Sequence, residues 1–175
     1  MTQVWLRTIA TVDGPFTVVT DDAAVIYSGW TEDRQAMLDR IWYEQPILST
    51  SSVEPPCLRQ ALMAVAAYYD GDGGPAGRVP TRQASSPFQT QVRQALATVP
   101  YGRRVSYTDL AAAAGHPRAF RAAATTCAQN RTALFVPCHR VVRGDGGLGG
   151  FLYGLPLKRR LLDRESGLAV GSAPL

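Results

Sequence analysis

Between Ser86 and Asn130 the chain starts and stops helices more sharply than anywhere else, and that punctuation limits what it can fold into. Ser86-Pro87-Phe88-Gln89 is a strong helix start, with a hydroxyl cap, a proline at the position where its missing N–H does no harm, and a glutamine placed to close a capping box. Phe88, Val92, Leu96 and Val99 recur at helical spacing, so this helix packs on a core, and Pro100-Tyr101-Gly102 stops it. Ser106 and Asp109 cap the next helix, Tyr107 to Ala114; Gly115-His116-Pro117 breaks it, and Arg118 to about Gln129 forms another, ended by Asn130. Two short helices around a tight glycine-containing turn describe a helix-turn-helix, which often lays its second helix in a DNA groove; plain helical hairpins share the pattern.

That second helix is unusual for a major-groove reader. Apart from Arg118 and Arg121 it carries Ala119, Ala122, Ala123, Ala124, Thr125, Thr126 and Ala128, side chains with little to offer a base edge. So small a face suits a narrow minor groove or close packing on another helix. Arg121 argues against simple packing, because a guanidinium among alanines is costly to bury without an anion.

Upstream the pattern changes. Trp5 to Ala10, Phe16 to Thr20 and Ala24 to Tyr27 read as strands of a small antiparallel sheet, turned at Val12-Asp13-Gly14-Pro15 and Asp21-Asp22. Thr31 can cap a helix running to about Tyr43 with Met37, Ile41 and Trp42 on one side; Pro46 to Pro56 is a loop; a helix at about Leu58 to Tyr69 carries the stripe Leu58, Leu62, Val65, Tyr69. The expected class is α+β, with a scaffold domain over 1–80 and a mostly helical working domain over 81–175. The last helix starts at Pro156 and closes at Gly167.

Charge divides along the same line. Eleven of the 18 basic residues and only four of the 14 acidic ones fall between 101 and 165, which suggests a polyanion-facing half and a neutral-to-acidic scaffold half. No run of about 18 apolar residues exists and the N-terminus lacks signal-peptide character, so the protein is expected to stay in the cytosol, away from membranes. Cys57, Cys127 and Cys138 have no metal-ligand spacing, and His116 and His139 are the only histidines, so neither metal nor cofactor is expected.

Cys138 and His139 stand side by side in Phe135-Val136-Pro137-Cys138-His139-Arg140-Val141-Val142. A cysteine in such a run is often only a small hydrophobe. Glu165, however, sits with Leu157, Leu161 and Leu162 on the apolar face of the last helix, where an isolated carboxylate needs a partner; His139 is the candidate. A thiol, an imidazole and a carboxylate make an activated nucleophile, and to this point a cysteine hydrolase fits as well.

Pro137-Cys138-His139-Arg140-Val141-Val142 resembles the active-site motif of the O6-alkylguanine-DNA alkyltransferases, single-use DNA repair proteins. Val99-Pro100-Tyr101-Gly102, Ser106-Tyr107, Leu110-Ala111 and Arg118-Ala119-Phe120-Arg121-Ala122 resemble that family's helix-turn-helix, and Asn130 and Glu165 stand eight before and twenty-seven after Cys138 as in its pattern. The resemblance is specific over 86–167 and architectural over 1–80. It implies a ribonuclease H-like N-terminal domain, and a C-terminal domain with a winged helix-turn-helix and a short active-site strand. Cys138 is then the alkyl acceptor, His139 its base through water, Glu165 the orienting acid, Asn130 a brace, and Tyr107 a proton donor to the departing guanine. Arg121 is implied to fill the gap left by a flipped base, with Arg118, Ala119, Ala122, Thr125, Tyr107 and Arg140 on the DNA. Val141, Phe151, Leu152 and Tyr153 are implied in the alkyl pocket. The implied partner is double-stranded DNA carrying O6-alkylguanine, met by a monomer, with cooperative assembly of copies on the DNA left open. The family usually has Asn-Pro at Asn130-Arg131, often a Trp at Arg93, and a Tyr followed by small residues at Phe151-Leu152-Tyr153-Gly154, which leaves the alkyl size open. Related alkyltransferase-like proteins bind alkylated bases without the cysteine.

Overall fold

The computed structural model describes residues 2–41 and 46–167. The chain divides into two units, Met1–Ala84 with Arg131–Phe135, and Ser85–Asn130 with Val136–Leu175. The boundary therefore falls later than the expected 80/81. Backbone hydrogen bonds from Val25 to Pro80 and from Arg82 to Val25, with an Arg82–Asp21 ion pair of 2.8 Å, tie that segment to the first unit.

In the first unit β1 (Thr2–Thr11), β2 (Gly14–Thr20) and β3 (Val25–Gly29) pair antiparallel, and β4 (Pro46–Leu48) joins the other edge of β1 in parallel, giving the order β3-β2-β1-β4. The sheet is thus mixed, and part of the expected Pro46 to Pro56 loop is a strand; a proline is tolerated at the start of a strand on an edge. Helix α1 (Arg34–Leu38) is capped by Asp33, whose carboxylate accepts from the Ala36 N–H at 3.0 Å, and not by Thr31. Of its expected continuation, Trp42 and Tyr43 lie outside the described residues. Met37 and Ile41 pack with Val4, Val19, Ile26 and Tyr27. Helix α2 (Pro56–Tyr69) buries Leu58, Ala61, Val65 and Tyr68, leaving Leu62 and Tyr69 half-buried at the margin of the stripe.

Residues 131–135 belong to this unit by hydrogen bonding. The Ser28 N–H donates to the Arg131 carbonyl at 2.9 Å, and the Ser28 hydroxyl to the Ala133 carbonyl at 2.8 Å. The Arg131 N–H donates to Gln83 Oε1 at 2.9 Å, a bond that proline could not make. Its guanidinium donates to the Arg40 carbonyl.

The second unit is helical. Helix α3 (Pro87–Ala97) starts on the full Ser86/Gln89 capping box, and α4 (Tyr107–Ala113) starts on Ser106, which accepts from the Asp109 N–H at 3.0 Å. Helix α5 (Phe120–Ala128) follows the tight turn at Gly115, whose φ of 85° suits glycine. Val92, Leu96, Leu110, Ala111, Ala123, Cys127, Val136 and Val141 form one core, so α5 buries its Ala123/Cys127 side and leaves Arg121, Ala122 and Thr125 exposed. Arg93, in the place the resemblance gives to Trp, is also buried and donates to Ser85 Oγ. Two short strands pair in parallel, β5 (Val105–Ser106) with β6 (Val141–Val142). Cys138 is not on a strand as expected; Cys138–Arg140 form a single 3₁₀ turn just before β6. Residues 143–147 make a tight turn, closed by the Arg143 N–H to Gly147 carbonyl bond at 2.8 Å, and α6 (Leu155–Glu165) ends the described chain.

Candidate active site

The 3₁₀ turn sends neighbouring side chains in different directions. His139 is fully buried, while Cys138 opens on a cavity of about 490 Å³ lined by Tyr107 from α4, Ala124, Thr125, Cys127 and Ala128 from α5, Asn130, and Gly150, Phe151, Leu152 and Tyr153 from the loop before α6. A nucleophile on an apolar-walled pocket beside a helix-turn-helix can reach a group that enters the pocket.

Glu165, on the inward face of α6, is the carboxylate that holds the histidine. Its Oε1 lies 2.5 Å from His139 Nε2, and Arg140 reaches the same carboxylate through Nε at 2.8 Å and Nη2 at 3.2 Å. The Gly102 N–H donates to Oε2 at 3.2 Å; Gly102 is at φ 79°, and a Cβ there would come within 2.9 Å of the Glu165 carbonyl oxygen. Burial alone would raise the Glu165 pKa, but hydrogen bonds and charge from His139 and Arg140 outweigh it and hold the group down at about 2. An ionised Glu165 requires the proton of the neutral ring on Nε2, which leaves the lone pair on Nδ1. Burial lowers the His139 pKa more than Glu165 raises it, so the ring is neutral at neutral pH and able to act as a base.

Burial pushes the Cys138 thiol up, opposed by a hydrogen bond from Asn130, the Lys158 charge, and the backbone N–H groups of Cys138 and His139. The resting sulfur is a thiol and needs that base. Asn130 also donates from Nδ2 to the Val136 carbonyl at 2.8 Å, fixing the turn that carries Cys138. Tyr107, at the first position of α4, is pushed up to about 12 by burial and then by Cys127 and Cys138, so it stays protonated as a donor.

The structure thus brings Cys138, His139, Glu165, Asn130 and Tyr107 together, with Phe151, Leu152 and Tyr153 in the cavity wall. Arg118, Arg121, Ala122 and Thr125 are exposed on or just before α5, and Ala119 is its half-buried cap. Two expected roles change. Arg140 is only 6% exposed, and Glu165 and the Val99 carbonyl, at 2.8 Å, take its guanidinium, so it anchors the acid instead of contacting phosphate. Val141 packs in the core and its side chain is not in the cavity wall.

Two further residues shape the site. Lys158 is fully buried, and its Nζ donates to the Val141 carbonyl at 2.6 Å and the Gly150 carbonyl at 3.2 Å, joining β6 to the cavity loop. Lys158, Leu162 and Glu165 lie at i, i+4 and i+7, so the spacing that exposed Glu165 would also have found it. Cys127 is both core and cavity wall; burial and then the neighbouring Cys138 push its thiol up to about 12, so it remains protonated and does not compete as a nucleophile.

The chain is similar to known proteins of one family. A family model described as "6-O-methylguanine DNA methyltransferase, DNA binding domain" matches residues 87–167. The "Methylated-DNA–protein-cysteine methyltransferase" of Shigella flexneri is 31% identical over 161 residues, 90% of this chain and 92% of that protein. The Escherichia coli "Bifunctional transcriptional activator/DNA repair enzyme Ada" is 56% identical over 79 residues, 45% of this chain but only 22% of that protein. The crystal structure of Mycobacterium tuberculosis OGT in complex with DNA aligns with a TM-score of 0.74 at 29% identity, covering 95% of each chain. The class α+β holds across that alignment.

Proposed function

Because this chain belongs to the family of methylated-DNA–protein-cysteine methyltransferases, we propose that it repairs duplex DNA by moving an alkyl group from guanine O6 to Cys138, once per molecule. The observation that carries this reading is the geometry of one turn: Cys138 opens on a cavity walled by α5, while His139 behind it is held by a buried, ionised Glu165. The guanine leaves the stack to reach the cavity, since O6 is inaccessible inside the duplex. The Cys138 proton passes by way of water to His139, and the sulfur attacks the alkyl carbon. An S–C bond forms, the C–O6 bond breaks, and the guanine anion takes a proton from Tyr107, which the proton held on His139 replaces through solvent. The product is a thioether, which water does not cleave, so each molecule reacts once.

The finer parts of the reading rest on the same features. The α4–α5 pair with the 143–147 turn supports a winged helix-turn-helix, and the order β3-β2-β1-β4 with α2 supports a ribonuclease H-like first unit. The specific target is O6-alkylguanine, the working form is a monomer, and the place of action is the cytoplasm, at the nucleoid if the source is bacterial. Ada's transcriptional role is not carried over, since the match spans so little of that protein.

The test is the mass of the Cys138 peptide after incubation with a duplex containing O6-methylguanine. One methyl per protein, absent from Cys138→Ala, is the expected result. Binding without a mass gain would mean recognition without chemistry, and repeated turnover of an ester would mean a hydrolase.

A second expectation concerns the cavity loop. Gly149 sits at φ 71°, and a Cβ on it would lie 2.8 Å from Tyr107 Oη and 3.0 Å from the ring. Gly149→Ala must strain the backbone or displace the proton donor, and a displacement costing about 1.4 kcal/mol slows the reaction about tenfold. Single-turnover rates on the methylated duplex check this; an unchanged rate would show that the loop yields without moving Tyr107.

A further inference from the structure

Phe120, the first residue of α5, is 43% exposed and is absent from the core that the opposite face of the helix enters. Such a ring in water forgoes what its burial would contribute, so folding alone does not explain it. Two observations say what it is placed for. The Arg121 guanidinium lies over it, 5.5 Å from the ring centroid, within cation–π range. Phe120, Ala124 and Ala128 also follow each other at i, i+4 and i+8, and the last two line the cavity that holds Cys138, so the ring stands at one end of the row that forms the cavity's helical wall.

We infer that Phe120 is a second DNA-inserting residue beside Arg121, an aromatic wedge that stacks on the base next to the position the damaged guanine vacates. This rests on the repair reading above. Apolar wedges commonly enter the minor groove between base steps, and an aromatic face stacks on any base without reading its sequence. In the free protein the ring also parks the arginine. On the duplex the guanidinium moves into the gap, and the uncovered ring face takes the neighbouring base.

The test measures affinity for an O6-methylguanine duplex over a range of salt, together with the rate on free O6-benzylguanine, for wild type, Phe120→Ala, Phe120→Trp, Arg121→Ala and the double variant Phe120→Ala with Arg121→Ala. Phe120→Ala is expected to weaken duplex binding about tenfold, the scale of one lost base–aromatic stack. Most of that loss should be absent from the free-base reaction, which needs no duplex. Because the ring is uncharged, the slope of log affinity against log salt should stay as in wild type, whereas losing a phosphate contact lowers it by about one. Phe120→Trp should restore binding. The double variant separates wedge from parking place: if Phe120→Ala costs nothing in the Arg121→Ala background, the ring only holds the arginine and the inference fails. It fails too if duplex affinity is unchanged, or if the free-base rate falls equally. A wild-type protein that neither binds the duplex nor gains a methyl group would instead overturn the repair reading itself.

Discussion

Replacing Glu165 by glutamine is expected to destabilise the fold by about 3–5 kcal/mol and to slow alkyl transfer by about 10²- to 10⁴-fold, the scales of breaking a buried ion pair from one side and of losing a positioned base. The substitution keeps the volume and removes the charge. Arg140, buried and bonded twice to the carboxylate, then faces a neutral amide, and the Gly102 N–H loses an ionised acceptor. His139 loses the anion that opposes its desolvation, so its already lowered pKa falls further and it becomes a weaker base. The pH signs follow from the same contacts. Glu165 is held at about 2 against an ordinary 4.5, so its contribution is complete above 4.5 and is lost as pH falls toward 2. Burial favours neutral His139, so acidification below the ordinary 6.5 draws on stability as well as on the base, and the acid limb of the wild-type rate lies below that value. Denaturant unfolding and single-turnover rates on free O6-benzylguanine across pH check both effects. A variant as stable and as fast as wild type would remove Glu165 from the mechanism.

What the chain shows in advance follows from how local each signal is. The capping box at Ser86 and the Ser106/Asp109 pair sit within one helical turn, so α3 and α4 start where their residues say. Glu165 was legible because helical periodicity placed a carboxylate among leucines, and His139 was the partner such an acid needed. Pairing between distant segments was not. Nothing local in Pro46-Ile47-Leu48 reveals that β1 has an unpaired edge to offer, and nothing in Asn130-Arg131 announces that Arg131 and Ala133 hydrogen-bond with Ser28. Arg140 misled for a related reason. An arginine beside an active site reads as a phosphate contact until the fold shows Glu165 and the Val99 carbonyl closing on it.

Lys158 tests the buried electrostatics from the other side. Its ammonium bridges the carbonyls of Val141 and Gly150 and lowers the Cys138 pKa through its charge. Lys158→Met keeps an unbranched chain of similar volume but leaves both carbonyls without that donor and the sulfur without the cation. Each orphaned carbonyl costs about 1–3 kcal/mol, and alkyl transfer is expected to slow about tenfold for each 1.4 kcal/mol by which the thiolate is less favoured. Burial brings Lys158 down to about 8 from 10.5, so the fold prefers the neutral amine. Wild-type stability therefore gains on the variant as pH rises from about 8 toward 10.5, by at most about 1.4 kcal/mol per pH unit, and loses that gain as pH falls back through 8. Taking the difference between the two proteins removes the other groups that titrate there. The same discharge withdraws the cation from Cys138, so the wild-type advantage in rate should shrink over the window in which its stability advantage grows. Opposite slopes of that kind require one titrating group serving both the fold and the thiol. A pH-independent difference in stability would show that Lys158 keeps its charge in the fold, and parallel slopes would show that its cation does not reach the sulfur.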